Sequence, residues 1–324
     1  MPDPSTMARR RSALPDSLAS RGFTTSEATA VGVGPRRLAA DDLVRYCRGF
    51  YVPGDAAVTE LEIITALVRE CPQAVVCSET AARLWGFPTA LGTPPWGLAD
   101  PQFLVHLNHH LTHRRDSGRV RWHEKILLPH EISALEDIRV TSRIRTFLDL
   151  ANIFPHDDLV AVGDHLVRQP RQHFEQRAVP YTTVDALTRA VQASHIPGTR
   201  RALAAVDDVR VGSDSPAETR LRLAIARGGL PTPQLNVAIS ADGVALGEPD
   251  LSWPAWKICV EHDGPHHRSV AQQELDIQRR ERRENNGWIQ VQTTARDLRA
   301  GGRRAVHRIA SQLRRQGWSG EPVP

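Results

Sequence analysis

Glu248-Pro-Asp-Leu-Ser-Trp-Pro-Ala-Trp-Lys-Ile-Cys-Val-Glu-His-Asp-Gly-Pro-His-His267 contains two β-rich runs, the first opening on Asp250 and the second ending at Glu261 and Asp263. Three carboxylates (Asp250, Glu261, Asp263) and three histidines (His262, His266, His267) fall within eighteen residues around the Gly264 turn. Holding these acids together is costly unless a cation neutralises them. Alternation along a strand puts Glu261 and Asp263 on one face, roughly 6.6 Å apart. His262 is expected on the opposite face in a structural role, while His266 is left without a role.

Working outward, Ser215-Pro-Ala-Glu218 combines an N-cap serine, a proline at the first helical position and a glutamate at the third, a complete capping box. Leu221 and Ile225 give the helix an apolar stripe, and Gly228-Gly229 ends it. Leu235, Val237 and Ile239 alternate as a strand, Ala241-Asp-Gly243 turns, and Val244–Leu246 returns. The Asp250 strand and a strand over Trp256–His262 come next. An Arg-rich helix near Ala271–Asn286, a strand over Trp288–Thr293 and a terminal helix with Val306, Ile309, Ala310 and Leu313 on one face complete the domain. The order predicts an α/β sandwich around a mixed sheet.

The ordered motifs Ser-Pro-x-Glu-Thr-Arg, Gly-Leu-Pro, Pro-Asp-Leu-x-Trp-Pro, Glu-x-Asp-Gly-x-x-His, Asp-Ile-x-Arg and Asn-Gly-Trp together resemble the endonuclease-like domain related to very-short-patch-repair (Vsr) nucleases, in the PD-(D/E)xK superfamily. The resemblance spans about 214–318 and implies a restriction-endonuclease-like fold. It implies metal-binding roles for Asp250 and Glu261, a helix acid at Glu218, and further active-site roles for Asp263 and His267. Phosphodiester hydrolysis needs an activated water and charge stabilisation at phosphorus, which oxygen-ligated Mg²⁺ (or Mn²⁺) supplies. Asp250, Glu261 and Asp263 are the expected metal ligands. His267, just past the glycine turn, is expected to act as general base or to hold the water.

One position departs from the superfamily pattern. Asp263 stands two residues after Glu261, where a lysine is the superfamily norm. Lys257 lies about 13 Å back along the strand, and arginine does not serve as a base. The Vsr-like lineage also lacks that lysine, so His267 is expected to take over part of its role.

The chain's formal net charge of +4 is unevenly distributed: eleven arginines between Asp276 and Trp318 face only four acids. A basic segment beside an acidic cluster suits a protein that handles a polyanion near bound metal, and Arg279, Arg280 and Arg283 are expected nucleic-acid contacts. The alternative reading is a set of solvated helix faces. With 324 residues, 40% of them hydrophobic, two or three domains are expected. Met1–Pro15 has arginines without an apolar run after them, so neither a signal peptide nor a membrane anchor is expected. Four cysteines without zinc-like spacing read as reduced thiols of a cytoplasmic protein.

Toward the N-terminus, residues 14–56 read as short helices, a Gly-Val-Gly turn and a strand-like Gly49-Phe-Tyr-Val52, a pattern that matches a helix-turn-helix with a wing. Phe-Thr-x-x-x-Ala, Arg-Arg-Leu and Gly-x-Tyr-Val resemble the winged-helix domain of AbiEi-type antitoxins. That resemblance implies DNA contacts by Arg36, Arg37, Arg45 and Arg48, with a structural or docking role as the alternative. Thr-Ser-x-x-Arg-Thr-x-x-Asp-Leu (141–150) and Gly163-Asp164 resemble the second, α+β domain of the same family. His106, His109, His110 and His113 lack the cysteine partners and helical spacing of usual zinc sites, so a basic hairpin tip running into Arg114 and Arg115 is expected instead.

These readings divide the chain into a flexible 1–13, a winged helix at 14–56, an α+β domain at 57–170, a helical connector at 171–213, the nuclease-like domain at 214–318 and a tail at 319–324. Three functions stay open: a metal-dependent DNA endonuclease or nickase, a non-catalytic DNA-binding regulator of antitoxin type, and an RNA nuclease. DNA is the expected partner and a membrane is not. A homodimer and an accompanying toxin or repair protein are left open.

Overall fold

The computed structural model describes residues 12–88, 104–109, 118–171, 175–264 and 270–320, without the side chains of 270–273. The chain forms a mixed α/β protein of two compact units, Met1–Gly86 with Leu91–Thr146 and Phe87–Ala90 with Phe147–Pro324. Among the described residues no helix is long and apolar enough to cross a membrane.

The first unit opens with α1 (Asp16–Ala19), β1 (Phe23–Thr24), α2 (Thr25–Ala30), α3 (Pro35–Leu38), β2 (Leu43–Cys47) and β3 (Phe50–Pro53). Thr24 caps α2 with a reciprocal bond from Glu27, so two N-terminal donors are satisfied by one side-chain pair. The strands form an antiparallel sheet in the order β1-β3-β2 over a core of Leu18, Phe23, Ala28, Val33, Leu38 and Leu43. Next come α4 (Glu60–Glu70), β4 (Val75–Val76), α5 (Ser78–Leu84), β5 (Val105–Asn108), β6 (Val120–His123), β7 (Ile132–Leu135), β8 (Ile138–Thr141) and α6 (Arg143–Leu150). Their five strands make a mixed sheet in the order β6-β5-β4-β8-β7. The division between the units falls within α6.

The second unit continues through α7 (His156–Val167), α8 (Val184–Gln192), α9 (Thr199–Asp208) and α10 (Pro216–Arg227). Its strands are β9 (Gln234–Leu235), β10 (Ile239–Ala241), β11 (Val244–Gly247), β12 (Leu251–Trp253), β13 (Ile258–Asp263) and β14 (Ile289–Thr294), with α11 (Val270–Asn285) before β14 and α12 (Arg303–Arg315) after it. The main sheet runs β14-β13-β12-β9. Its centre, β13, pairs antiparallel with β12 and parallel with β14, the parallel step requiring the α11 crossover. β10 and β11 form a two-stranded hairpin separate from the main sheet.

Side chains of even number on β13, Ile258 and Val260, join Leu221 and Ile225 of α10, Leu251 and Trp253 of β12, and Ile309 and Leu313 of α12 in one core. On the other face Cys259 packs with Ile239, Leu246 and Trp288. A four-residue connection joins β12 to β13: a 3-10 turn at Pro254–Trp256 and then Lys257 in the left-handed region, φ 49°. The second unit also takes in α7–α9, whereas the sequence reading ends a middle domain at 170 and makes 171–213 a connector. Polar anchors explain the difference. Asp164 of α7 accepts hydrogen bonds from Thr219 Oγ1 (2.8 Å), Arg222 Nη2 (2.8 Å) and the Arg210 N–H (2.7 Å), while Arg220 pairs with Asp158 and Arg227 with Asp157.

Candidate functional site

β12 and β13 pair Leu251 with Val260, Ser252 with Cys259 and Trp253 with Ile258. Extending this register by one residue sets Asp250 opposite Glu261 at the ends of adjacent strands, although the two acids line different cavities. Asp250 Oδ2 accepts the main-chain N–H of His262 at 2.6 Å. Burial, followed by the charges of Glu218 and Glu261, pushes the Asp250 carboxyl up to about 7; the His262 N–H opposes this rise.

Glu218 is buried in the first turn of α10. Its Oε1 accepts from Ser215 Oγ (2.8 Å), and its Oε2 accepts from the Asp214 N–H (2.9 Å) and Asn236 Nδ2 (2.7 Å). The N-cap serine and the cluster acid are therefore bonded directly, but the expected capping box is incomplete, because Glu218 takes the N–H of Asp214 and not that of Ser215. Burial raises its carboxyl above the usual range, and the Asp214 N–H bond is the strongest opposing influence. Arg171, from upstream of this helix, donates to Asp214, to Glu248 Oε2 (3.0 Å) and to Asn236 Oδ1 (2.8 Å). No local pattern signals this clamp, because its partners lie 43 to 77 residues away.

Glu261 Oε1 accepts Arg283 Nη1 at 2.7 Å. Arg283 also donates to Gln290 Oε1 (2.8 Å) and to the Leu246 carbonyl (3.0 Å), and is 0% exposed. Its expected place among the nucleic-acid contacts is thereby corrected: the guanidinium is consumed inside the fold. Arg279 pairs with Asp276 (3.4 Å) and Arg280 with Glu284 (2.8 Å), both on partly or fully exposed stretches of α11. Asp263 accepts from Gln292 Nε2. His266 and His267 lie outside the described residues.

Two cavities flank β13. One, of about 690 Å³, is lined by Glu218, Arg220, Asp250, His262, Leu298 and Arg299, among others. The other, of about 290 Å³, is lined by Glu261, Arg279, Arg280, Arg283, Gln290 and Gln292, among others. His262 does face away from Glu261, as alternation requires, yet this brings it to the cleft of Asp250 and Glu218. Alternation alone does not show this neighbourhood, because Asp250 sits just before β12.

Among the described residues no group of three or more His, Cys, Asp or Glu side chains is arranged to hold a metal ion. The chemistry of the donors nonetheless fits one hard divalent cation. Asp250 and Glu261 are oxygen donors whose mutual repulsion a cation would relieve, and Mg²⁺ is commonly held by one or two carboxylates with several waters retained. Neither Glu261 nor Asp263 lines the cleft of Asp250; Glu261 lines the smaller cavity.

In the first unit, Arg37 makes a two-point pair with Asp42 (2.8 and 2.7 Å) and donates to the Ser12 carbonyl (2.7 Å), so its expected role as a free contact is corrected. Arg36, Arg45 and Arg48 are exposed. His106 stacks on His123 with Nδ1 and Nε2 3.0 Å apart, and its other nitrogen meets Glu79 at 3.2 Å. Burial, then the neighbouring His123, lowers the His106 pKa to about 4. His110, His113, Arg114 and Arg115 lie outside the described residues.

No family model matches the chain, and no solved structure matches it. Two curated proteins of Mycobacterium tuberculosis, "Uncharacterized protein MT2308" of strain CDC 1551 / Oshkosh and "Uncharacterized protein Rv2248" of strain ATCC 25618 / H37Rv, are each 27% identical over 261 residues, covering 76% of this chain and 84% of the relative.

Proposed function

We propose that the protein is a metal-dependent DNA endonuclease or nickase whose cleft lies at the ends of β12 and β13, with the N-terminal helices and small sheet serving as a winged-helix DNA-binding unit. The observation that supports it is the Asp250 carboxyl, held up to about 7 by burial and by Glu218 and Glu261. Acids gathered at such a cost are characteristic of functional sites. Asp250 and Glu261 would hold Mg²⁺ or Mn²⁺, which when bound supplies charge stabilisation at phosphorus and acidifies water. Glu218 adds a second carboxyl to the wall of the cleft and is oriented by Ser215, Asp214 and Asn236. Arg299, which lines the same cleft, is suited to phosphate oxygens, whereas Arg220 is already held by Asp158.

The test is plasmid nicking by purified protein with Mg²⁺ or Mn²⁺. Cleavage is expected from the wild type and not from Asp250→Ala or Glu261→Ala, with DNA binding retained in both. The Glu261–Arg283 pair favours a second reading, a DNA-binding regulator with an idle nuclease-like domain, since one candidate ligand is already neutralised. DNA binding without metal-dependent cleavage would select it, and preferential cutting of structured RNA would redirect the substrate.

A further inference from the structure

The ring of His262 touches β14 through one nitrogen only. Nδ1 lies 3.1 Å from Thr293 Oγ1, and that hydroxyl in turn lies 3.4 Å from the Glu261 carbonyl oxygen. A carbonyl only accepts and a threonine hydroxyl has one proton to give. Both contacts are satisfied together when Oγ1–H points to the carbonyl and His262 donates through Nδ1–H. The second nitrogen, Nε2, then carries a lone pair, and it has no hydrogen-bond partner among the described residues. His262 lines the 690 Å³ cleft beside Asp250 and Glu218, and its own N–H fixes Asp250 Oδ2 at 2.6 Å. The residue that anchors the acid thus also brings an imidazole to the same cleft.

We propose that His262 is a further catalytic residue of this site, the proton acceptor for the attacking water, with Thr293 as the positioning residue that selects its tautomer. This rests on the endonuclease reading above. In the step, Nε2 takes one proton from water while the water oxygen bonds to phosphorus. The bond from phosphorus to the leaving sugar oxygen breaks, and that oxygen takes a proton from solvent. The imidazolium then releases its proton to bulk water. A positioned base of this kind contributes a rate factor of about 100 to 10,000, while Thr293 acts only through the ring it orients.

Two measurements on the full chain test it. In ¹⁵N-histidine spectra of the wild type, the His262 signal, assigned by its loss in His262→Asn, is expected to show the Nδ1–H tautomer. Thr293→Val is expected to shift the tautomer balance and Thr293→Ser to restore it. In single-turnover plasmid nicking, His262→Asn, which keeps a donor near Thr293 but lacks Nε2, is expected to slow cleavage by roughly 100-fold or more with DNA affinity unchanged. Thr293→Val should lower the same rate constant and Thr293→Ser recover most of it. A His262→Asn protein that cuts at the wild-type rate, or an Nε2–H tautomer in the wild type, overturns the role of His262 while leaving the endonuclease reading intact. A wild type that never cuts overturns both.

Discussion

Arg283 Nη1 stands 2.7 Å from Glu261 Oε1, joining a wholly buried guanidinium to a carboxylate only 20% exposed. Removing one partner of such a pair leaves an uncompensated charge and is strongly destabilising. Arg283→Met should therefore lower the unfolding free energy by about 3 kcal/mol in urea titrations. Arg280→Ala, which breaks an exposed pair, should cost less than about 1 kcal/mol. Equal costs would show that burial of Arg283 contributes nothing.

Asp250 gives the metal-free protein a definite pH dependence. Its folded pKa is raised from 3.8 to about 7, so between those values the folded state binds the proton more tightly than the unfolded state. Its contribution is favourable at low pH and is lost as pH rises through about 7. Asp250→Asn should therefore raise Tm at pH 8 and change it little near pH 4. Mg²⁺ should stabilise the wild type at pH 8 more than at pH 6, because protons compete for the same oxygens. Scanning calorimetry with and without Mg²⁺ reads both effects, and an Asp250→Asn protein less stable than wild type at pH 8 would contradict the first.

Asp164 tests how much chain the C-terminal sheet needs. Arg222 is only 9% exposed and pairs with Asp164 at 2.8 Å, so a fragment starting at 214 leaves a buried cation without its carboxylate. A fragment of residues 147–320 should unfold cooperatively in urea when followed by tryptophan fluorescence, whereas 214–320 should not. In the full chain Asp164→Ala should cost about 3 kcal/mol.

The N-terminal arginines should separate by their partners. If this unit grips DNA, Arg36→Ala and Arg45→Ala should each reduce the slope of log affinity against log salt by about one, read by fluorescence anisotropy. Arg37→Ala should leave the slope close to wild type, because Asp42 already holds that guanidinium.

The helix, strand and crossover order of the C-terminal sheet was legible because its signals are local: the Ser215–Glu218 cap, the apolar stripe of α12 and the alternation of β13. The antiparallel pairing of the strands that carry Asp250 and Glu261 was legible for the same reason, since two short strands and a turn determine it; that the two acids line different cavities was not. Arg283 and Arg171 were not, because composition presents each as one more surface arginine until distant partners consume it. The face taken by His262 was legible from alternation, which does not say which acids share that face. The extent of the second unit was hidden as well, since Asp157, Asp158 and Asp164 meet their arginines only after the chain has folded back.

The short link at Pro254–Lys257 has a consequence for which sequence changes the chain tolerates. Both ends of the link are set by strand pairing, so it works as a spacer whose length matters more than its composition. Inserting or deleting one residue there shifts β13 against β12 by one pleat, about 3.3 Å, and turns every side chain of the shifted strand to the other face. Glu261 would leave Asp250 and the core residues Ile258 and Val260 would face outward, so a single codon gained or lost should be far more damaging than substitution of Ala255 or Trp256. Deep scanning with indels as well as substitutions should show this four-residue window as tolerant in letters and intolerant in length.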